Sequence, residues 1–143
     1  PMTIRQEKFQ ALKAQYDEQA QIIPIACSGL MEYVEQGILR GPEVEGYLLD
    51  KLEPYLKVPI DAVVLGCTHY PFLRGAIRRI VGRRPEIIDG SFGIAKQLQR
   101  RLEEQQLLSP GPDAGSVSFQ NSLDEPEMLE LMQALFSYED ETP

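Results

Sequence analysis

One short segment of the sequence places a thiol and an imidazole two residues apart. Residues 66–71 read Gly-Cys-Thr-His-Tyr-Pro, and His69 is the single histidine of the chain. A thiol can donate a proton and a thiolate can remove one, while a nearby imidazole can accept or return that proton. We therefore interpret Cys67 and His69 as a candidate acid–base pair, in preference to a buried thiol beside a surface histidine.

The flanking residues indicate that this segment connects a strand to a helix. Residues 61–65 read Asp-Ala-Val-Val-Leu, a run typical of a strand that is buried on both faces. Gly66 permits a tight turn, and the apolar residues after Pro71 recur at helical spacing. In open α/β sheets, ligands bind beyond the carboxyl ends of strands. Cys67 is therefore predicted to lie where a ligand would bind.

The remaining pattern alternates helices with short apolar segments. Strands are predicted at 21–26, 61–65 and 86–89, with a strand-like segment around Val117 and Phe119. This order predicts an α/β fold in which helices flank a mainly parallel sheet. Because the chain opens with a capped helix (Thr3 and Gln6), we expect a strand upstream of residue 1. Helices are predicted at 3–20, 30–36, 42–56, 73–80, 94–102 and 128–136.

Composition excludes several classes of function. The 143 residues are 43% apolar and 25% charged, and a net charge of −8 disfavours nucleic-acid binding. No apolar run is long enough for a membrane span, and no signal peptide is evident. The two cysteines, Cys27 and Cys67, lie forty residues apart, which favours a reduced, cytoplasmic protein and predicts neither a disulfide framework nor a metal site.

Two other sets of residues are interpreted as structural. Five arginines on and after one predicted helix indicate a solvated helix face more strongly than an anion-binding surface. Two tyrosines and a leucine in the helix at 42–56 are core candidates that could alternatively form a dimer surface. These sets are Arg74, Arg78, Arg79, Arg83 and Arg84, and Tyr47, Leu49 and Tyr55.

The segment at 65–71, Leu-Gly-Cys-Thr-His-Tyr-Pro, closely resembles the signature around the second catalytic cysteine of the glutamate racemase family. Residues 25–28 resemble the family's apolar-Ala-Cys-Pro segment, with Ser28 in place of proline. Residues 34–37 resemble its Val-Glu-x-Gly segment, residues 87–89 its Ile-Asp strand end, and residues 1–4 the end of its Thr-x-x-Thr segment. The Asp-Ser-Gly and Cys-Asn-Thr segments of the family's amino-terminal half do not occur. The resemblance is therefore to the carboxy-terminal half only.

This resemblance implies a particular division of the chain. The family consists of two pseudosymmetric α/β domains with the active site between them. Residues 1–84 are expected to form the second domain without its first strand. Residues 85–143 are expected to form the return segment that completes the first domain, with an acidic tail.

The resemblance also implies roles for individual residues. Cys67 is expected to remove the α-proton of L-glutamate and to return it to D-glutamate, without any cofactor. His69 is expected to assist its ionisation, and Glu35 to support proton positioning or the substrate ammonium. Thr68 and Thr3 are expected to hold substrate carboxylates. An exposed acid at Glu35 and a plain helix cap at Thr3 are the structural alternatives.

The expected partners are glutamate, the amino-terminal half of the enzyme and a second copy in a homodimer, with neither nucleic acid nor membrane. The expected product is D-glutamate for peptidoglycan synthesis. Two alternatives remain. One is a non-catalytic α/β interaction fragment. The other is a racemase for aspartate or a hydantoin, which His69 and Tyr70 disfavour.

Overall fold

Six α-helices and a two-stranded sheet make up the part of the chain that the structure describes. This computed structural model describes residues 5–109, 111, 115–122 and 125–139. The arrangement confirms the predicted α/β class. In chain order the elements are α1 (Glu7–Ala14), α2 (Leu30–Glu35), α3 (Pro42–Leu52), a 3₁₀ turn (Glu53–Tyr55), β1 (Ala62–Val64), a second 3₁₀ turn (Tyr70–Leu73), α4 (Arg74–Val81), β2 (Glu86–Ile88), α5 (Ser91–Glu104) and α6 (Pro126–Phe136).

The sheet is a parallel pair joined through a helix. Strands β1 and β2 run parallel, with Val63 opposite Ile87, and α4 lies between them in the chain. The backbone N–H of Leu65 donates to the carbonyl of Ile88 at 2.8 Å, which extends the pairing by one residue. The predicted parallel pairing is confirmed. The carboxyl end of β1 leads directly into the Gly66–Pro71 segment, so the sheet fixes where that segment begins.

The apolar core lies between the sheet and helices α2, α3 and α4. Individual residues explain where two of these helices begin or end. Pro42 occupies the first turn of α3, where its missing N–H costs nothing. Gly37 follows α2 with a φ of 72°, a conformation that favours glycine after a helix. The buried cluster is Leu30, Val34, Val44, Leu48, Leu65, Leu73, Ala76, Ile77 and Ile87.

Neighbouring leucines on α3 allow a direct test of this core. Leu48 is 2% exposed, whereas Leu49 is 48% exposed. We expect Leu48→Ala to lower the free energy of unfolding by about 2–5 kcal/mol, because it leaves a cavity in the core. Leu49→Ala should lower it by less than about 1 kcal/mol. Urea denaturation of the two variants, each combined with the expected amino-terminal half, measures the difference, and equal losses would contradict the assigned core.

Three predictions about strands are wrong. Residues 21–26 are irregular rather than extended into a sheet, because Pro24 lacks an N–H and no described strand lies beside them. Residues around Val117 and Phe119 are also irregular, and the Phe119 ring packs against Phe136 at 5.5 Å. Strand β1 is not buried on both faces, since Val64 is 70% exposed. A strand with one described neighbour has little to cover it.

The prediction of a solvated arginine face around α4 holds for Arg79, Arg83 and Arg84, which are exposed. It is wrong for Arg74 and Arg78, which are partly buried. Arg74 bonds to the carbonyl of Ile87 and pairs with Asp89, and Arg78 donates to the carbonyl of Pro85 at 2.6 Å. Arg79 pairs with Glu45 at 2.8 Å at the surface.

The first helix begins at Glu7 with Gln6 before it, which is later than the predicted start. Thr3, the expected cap and carboxylate ligand, lies outside the described residues. The acidic tail is described only as far as Glu139, which has no regular structure.

Candidate active site

The Gly66–Pro71 segment turns immediately after β1 and places its side chains at the sheet edge. Residues 67–69 form a turn, which is closed where the N–H of Tyr70 donates to the carbonyl of Cys67 at 3.2 Å. The N–H of Phe72 then donates to the carbonyl of His69 at 3.2 Å. Pro71 fits the following 3₁₀ turn because its first positions need no N–H donor. This turn makes side chains two residues apart face each other.

Cys67 and His69 are in contact through this turn. The Cys67 Sγ lies 3.8 Å from the His69 Nδ1, and the Thr68 Oγ1 lies 3.4 Å from the same nitrogen. Cys67 and His69 are half-buried, and Thr68 is exposed. The thiol and the hydroxyl therefore both lie beside the Nδ1 of the imidazole, which leaves Nε2 for a different partner.

Glu35 lies on the opposite edge of the same imidazole. Its Oε1 is 3.6 Å from the His69 Nε2, with 49% and 31% of the two side chains exposed. Glu35 is the last residue of α2, so the length of that helix decides where the carboxylate lies. The three side chains form a row of thiol, imidazole and carboxylate. The electrostatic attraction between Glu35 and a protonated His69 is weak, because both side chains are partly solvated at this distance.

The row has the parts needed for proton transfer at a thiol. A neutral imidazole with its proton on Nε2, facing Glu35, leaves Nδ1 free to accept the proton of Cys67. The carboxylate would then stabilise the imidazolium that forms. A partly exposed thiolate beside such a base can remove a proton from a bound carbon acid. Thr68 adds a hydroxyl next to the thiol, which can act as a hydrogen-bond donor.

Cys27 differs from Cys67 in its surroundings. Its Sγ faces the carbonyl of Ile25 at 3.9 Å, and within the described part of the chain it has no imidazole or carboxylate at hydrogen-bond distance. Burial raises the pKa of the Cys27 thiol above its ordinary value, and the charge of Lys51 only partly offsets this. The Cys27 thiol is therefore expected to stay protonated and unreactive.

Two supporting contacts were not predicted from the sequence. The Tyr70 hydroxyl donates to the carbonyl of Cys27 at 3.2 Å. Arg74 donates to the carbonyl of Ile87 at 2.7 Å and pairs with Asp89, which joins the start of α4 to the end of β2. Hydrogen bonds from the N–H and hydroxyl of Ser91, together with Arg74, lower the pKa of Asp89. The Ile-Asp pair at the strand end was the only signal for this second contact.

The described residues contain neither a metal-binding cluster nor a membrane-spanning helix. In the parts of the chain that the structure describes, no three His, Cys, Asp or Glu side chains are grouped so that they could hold a metal ion. None of the described helices is long and apolar enough to cross a membrane.

Comparison with known proteins gives a consistent result. The chain is 44% identical over 133 residues to a glutamate racemase of Clostridium perfringens, covering 93% of this chain and 51% of the relative. A glutamate racemase of Clostridium botulinum is 41% identical over 135 residues, covering 94% of this chain and 52% of the relative. No family model matches. The chain spans about half the length of the curated relatives it matches, and it fits their carboxy-terminal half.

Solved structures agree in fold. The structure of a glutamate racemase from Bacillus anthracis superposes with a TM-score of 0.69 at 24% identity, covering 94% of this chain and 50% of that one. At this identity the match establishes the fold. The glutamate racemase of Francisella tularensis, solved in complex with D-glutamate, superposes with a TM-score of 0.63 at 26% identity, covering 72% and 38% of the two chains.

Proposed function

We propose that this chain, which is similar to glutamate racemases over nearly all of its length, carries one of the two cysteines that interconvert L- and D-glutamate. Removing the α-proton on one face and returning a proton on the other requires two bases. Cys67 is one of them, acting on the L-enantiomer as thiolate and on the D-enantiomer as thiol. The second cysteine belongs to the amino-terminal half of such an enzyme.

The contact between Cys67 and His69 carries this proposal. A cysteine acts as a base only as the thiolate, so its thiol proton needs an acceptor. The His69 Nδ1 lies 3.8 Å from the Cys67 Sγ and can accept that proton. Glu35, at 3.6 Å from the other ring nitrogen, stabilises the protonated ring. No cofactor is invoked. Fixed donors such as the Thr68 hydroxyl can bind the substrate carboxylate and stabilise the negative charge that forms when the α-proton is removed.

The proposal extends to the whole assembly. Thr68 and Thr3 bind the carboxylates of glutamate, and a homodimer in the cytoplasm supplies D-glutamate for peptidoglycan synthesis. Residues 1–84 belong to the second domain and 85–143 complete the first. Strand β2, at the start of the second segment, pairs with β1 of the first segment.

Hydrogen exchange at the α-carbon tests the proposal. The amino-terminal half of the Clostridium perfringens relative is combined with this chain, and assembly is checked by co-elution in size-exclusion chromatography. In deuterated water, L-glutamate should give D-glutamate that carries deuterium at the α-carbon, because the second base donates a proton from solvent. An assembled protein that exchanges neither enantiomer would contradict the proposal.

The role of His69 gives a more specific prediction. In the same assembled protein, His69→Asn should lower kcat by about 10²-fold, because the imidazole no longer accepts the thiol proton. The KM should change by less than about threefold, since the lost contact acts on proton transfer rather than on binding. Alkylation of Cys67 by iodoacetamide should also slow near neutral pH, measured on the Cys67 peptide by mass spectrometry with Cys27→Ala as background. Unchanged turnover and alkylation would exclude a role for His69.

A further inference from the structure

Two adjacent residues of the Cys67 turn contact the two ends of helix α2. His69 meets Glu35 at the carboxyl end of the helix, at 3.6 Å. Tyr70 meets the turn before its amino end, where its hydroxyl donates to the carbonyl of Cys27 at 3.2 Å. The helix is six residues long. A segment attached at both ends to neighbouring residues has little freedom to slide or rotate.

The carbonyl of Cys27 is also where α2 begins. It accepts the N–H of Leu30, the first residue of the helix, at 3.3 Å. The Tyr70 hydroxyl therefore bonds to the same oxygen that starts the helix carrying Glu35. Cys27 and Tyr70 lie 43 residues apart in the chain, so this bond joins two separate segments. A shift of the helix start would be transmitted to Glu35 through one and a half turns of helix.

We infer that Tyr70 is a positioning residue that keeps Glu35 aligned with His69 by holding the start of α2, an inference that rests on the proposed function of the Cys67 site. The ring of Tyr70 packs against the core cluster, so its hydroxyl is held in place. Burial, together with the neighbouring thiols of Cys27 and Cys67, raises the pKa of Tyr70 to about 12. The hydroxyl therefore stays a donor throughout the working pH range.

The chain offers a matched control. Tyr47, on α3, donates its hydroxyl to the next carbonyl of the same turn, that of Ser28, at 2.7 Å. Burial, together with neighbouring groups, raises its pKa to about 12 as well. Tyr47 lies on no segment that carries Cys67 or His69. Tyr47→Phe and Tyr70→Phe therefore each remove one hydrogen bond to this turn, and only Tyr70→Phe removes a bond between the Cys67 turn and the start of α2.

Kinetics of the assembled protein give the first test. We expect Tyr70→Phe to lower kcat about tenfold and to change KM by less than about twofold, because Glu35 is no longer aligned with His69. Substitutions of residues that act through the same contact have non-additive effects. Glu35→Gln should therefore lower kcat by a much smaller factor in the Tyr70→Phe background than in the parent. Tyr47→Phe should stay within about twofold of the parent. Independent, multiplicative effects of Glu35→Gln and Tyr70→Phe would overturn the inference.

Nuclear magnetic resonance separates this inference from the proposed function. His69 is the single histidine of the chain, so its ring signals are unambiguous when the labelled chain is combined with an unlabelled amino-terminal half. Glu35→Gln should shift these signals in the parent and in Tyr47→Phe, and the shift should fall by at least half in Tyr70→Phe. An equal shift in all three proteins, or loss of the folded state in Tyr70→Phe, would overturn the inference. An inactive assembly would contradict the proposed function and leave this readout intact.

Discussion

Replacing Cys67 with alanine should abolish racemisation in the assembled protein. We expect the rate to fall by about 10⁴-fold or more in both directions, because each direction uses Cys67 either as the base or as the acid. Exchange of the α-proton of L-glutamate should be lost as well, since we propose that this thiolate removes that proton. Polarimetry for racemisation and deuterium incorporation for exchange measure the two effects separately.

The fold should tolerate this change. Cys67 lies in a turn after β1 and is half-buried, so loss of its sulfur should change stability by less than about 1 kcal/mol. Cys27→Ala is the matched control, because that thiol has no acid or base partner among the described residues and its pKa is raised by burial. Cys27→Ala should keep the parent rate within about twofold. A Cys67→Ala protein that racemises glutamate at the parent rate would disprove the assignment.

Local features of the fold follow from the sequence, while pairing between distant segments does not. Pro42 at the start of α3 and Gly37 after α2 carry their signals within a few residues, and the predicted helix start at 42 and helix end near 36 are confirmed. The strand at 21–26 was predicted from apolar residues alone and is wrong. A strand exists only when another strand pairs with it, and a short apolar run contains no information about that partner.

The candidate site shows the same division between local and distant contacts. Cys67 and His69 meet within one turn, so their spacing was sufficient to predict a pair. Glu35 was assigned through a family resemblance, because no pattern in the chain connects it with His69. The bond from Tyr70 to Cys27 spans 43 residues and could be found only from the structure. The roles of these residues in the reaction remain predictions.

Several large apolar residues of β1, β2 and α5 are exposed. Val64 and Ile88 pair across the sheet and are 70% and 40% exposed. On α5, Phe92, Ile94 and Leu98 are 71%, 67% and 59% exposed, and no residue of α5 is buried. Exposed apolar residues in such numbers mark a protein–protein contact. Since the chain spans about half of its relatives, we propose that the amino-terminal half covers this surface.

The isolated chain should therefore have no racemase activity and should associate with itself. The proposed mechanism requires two catalytic cysteines, of which this chain supplies Cys67, so no D-glutamate should form in a coupled assay. Analytical ultracentrifugation should show species larger than 16.2 kDa, and circular dichroism should show a broad melt, because α5 has little to pack against. Adding the amino-terminal half should restore activity and sharpen the melt.

Substitutions on α5 identify the surface responsible. Ile94→Ser combined with Leu98→Ser should reduce self-association of the isolated chain, and it should also weaken binding of the amino-terminal half by about tenfold or more, because both contacts use the same apolar side chains. Val58→Ser is the control, since Val58 is 58% exposed but lies between α3 and β1, and it should change neither property. A monomeric isolated chain with a sharp melt and measurable D-glutamate formation would contradict the two-cysteine mechanism and the proposed covered surface together.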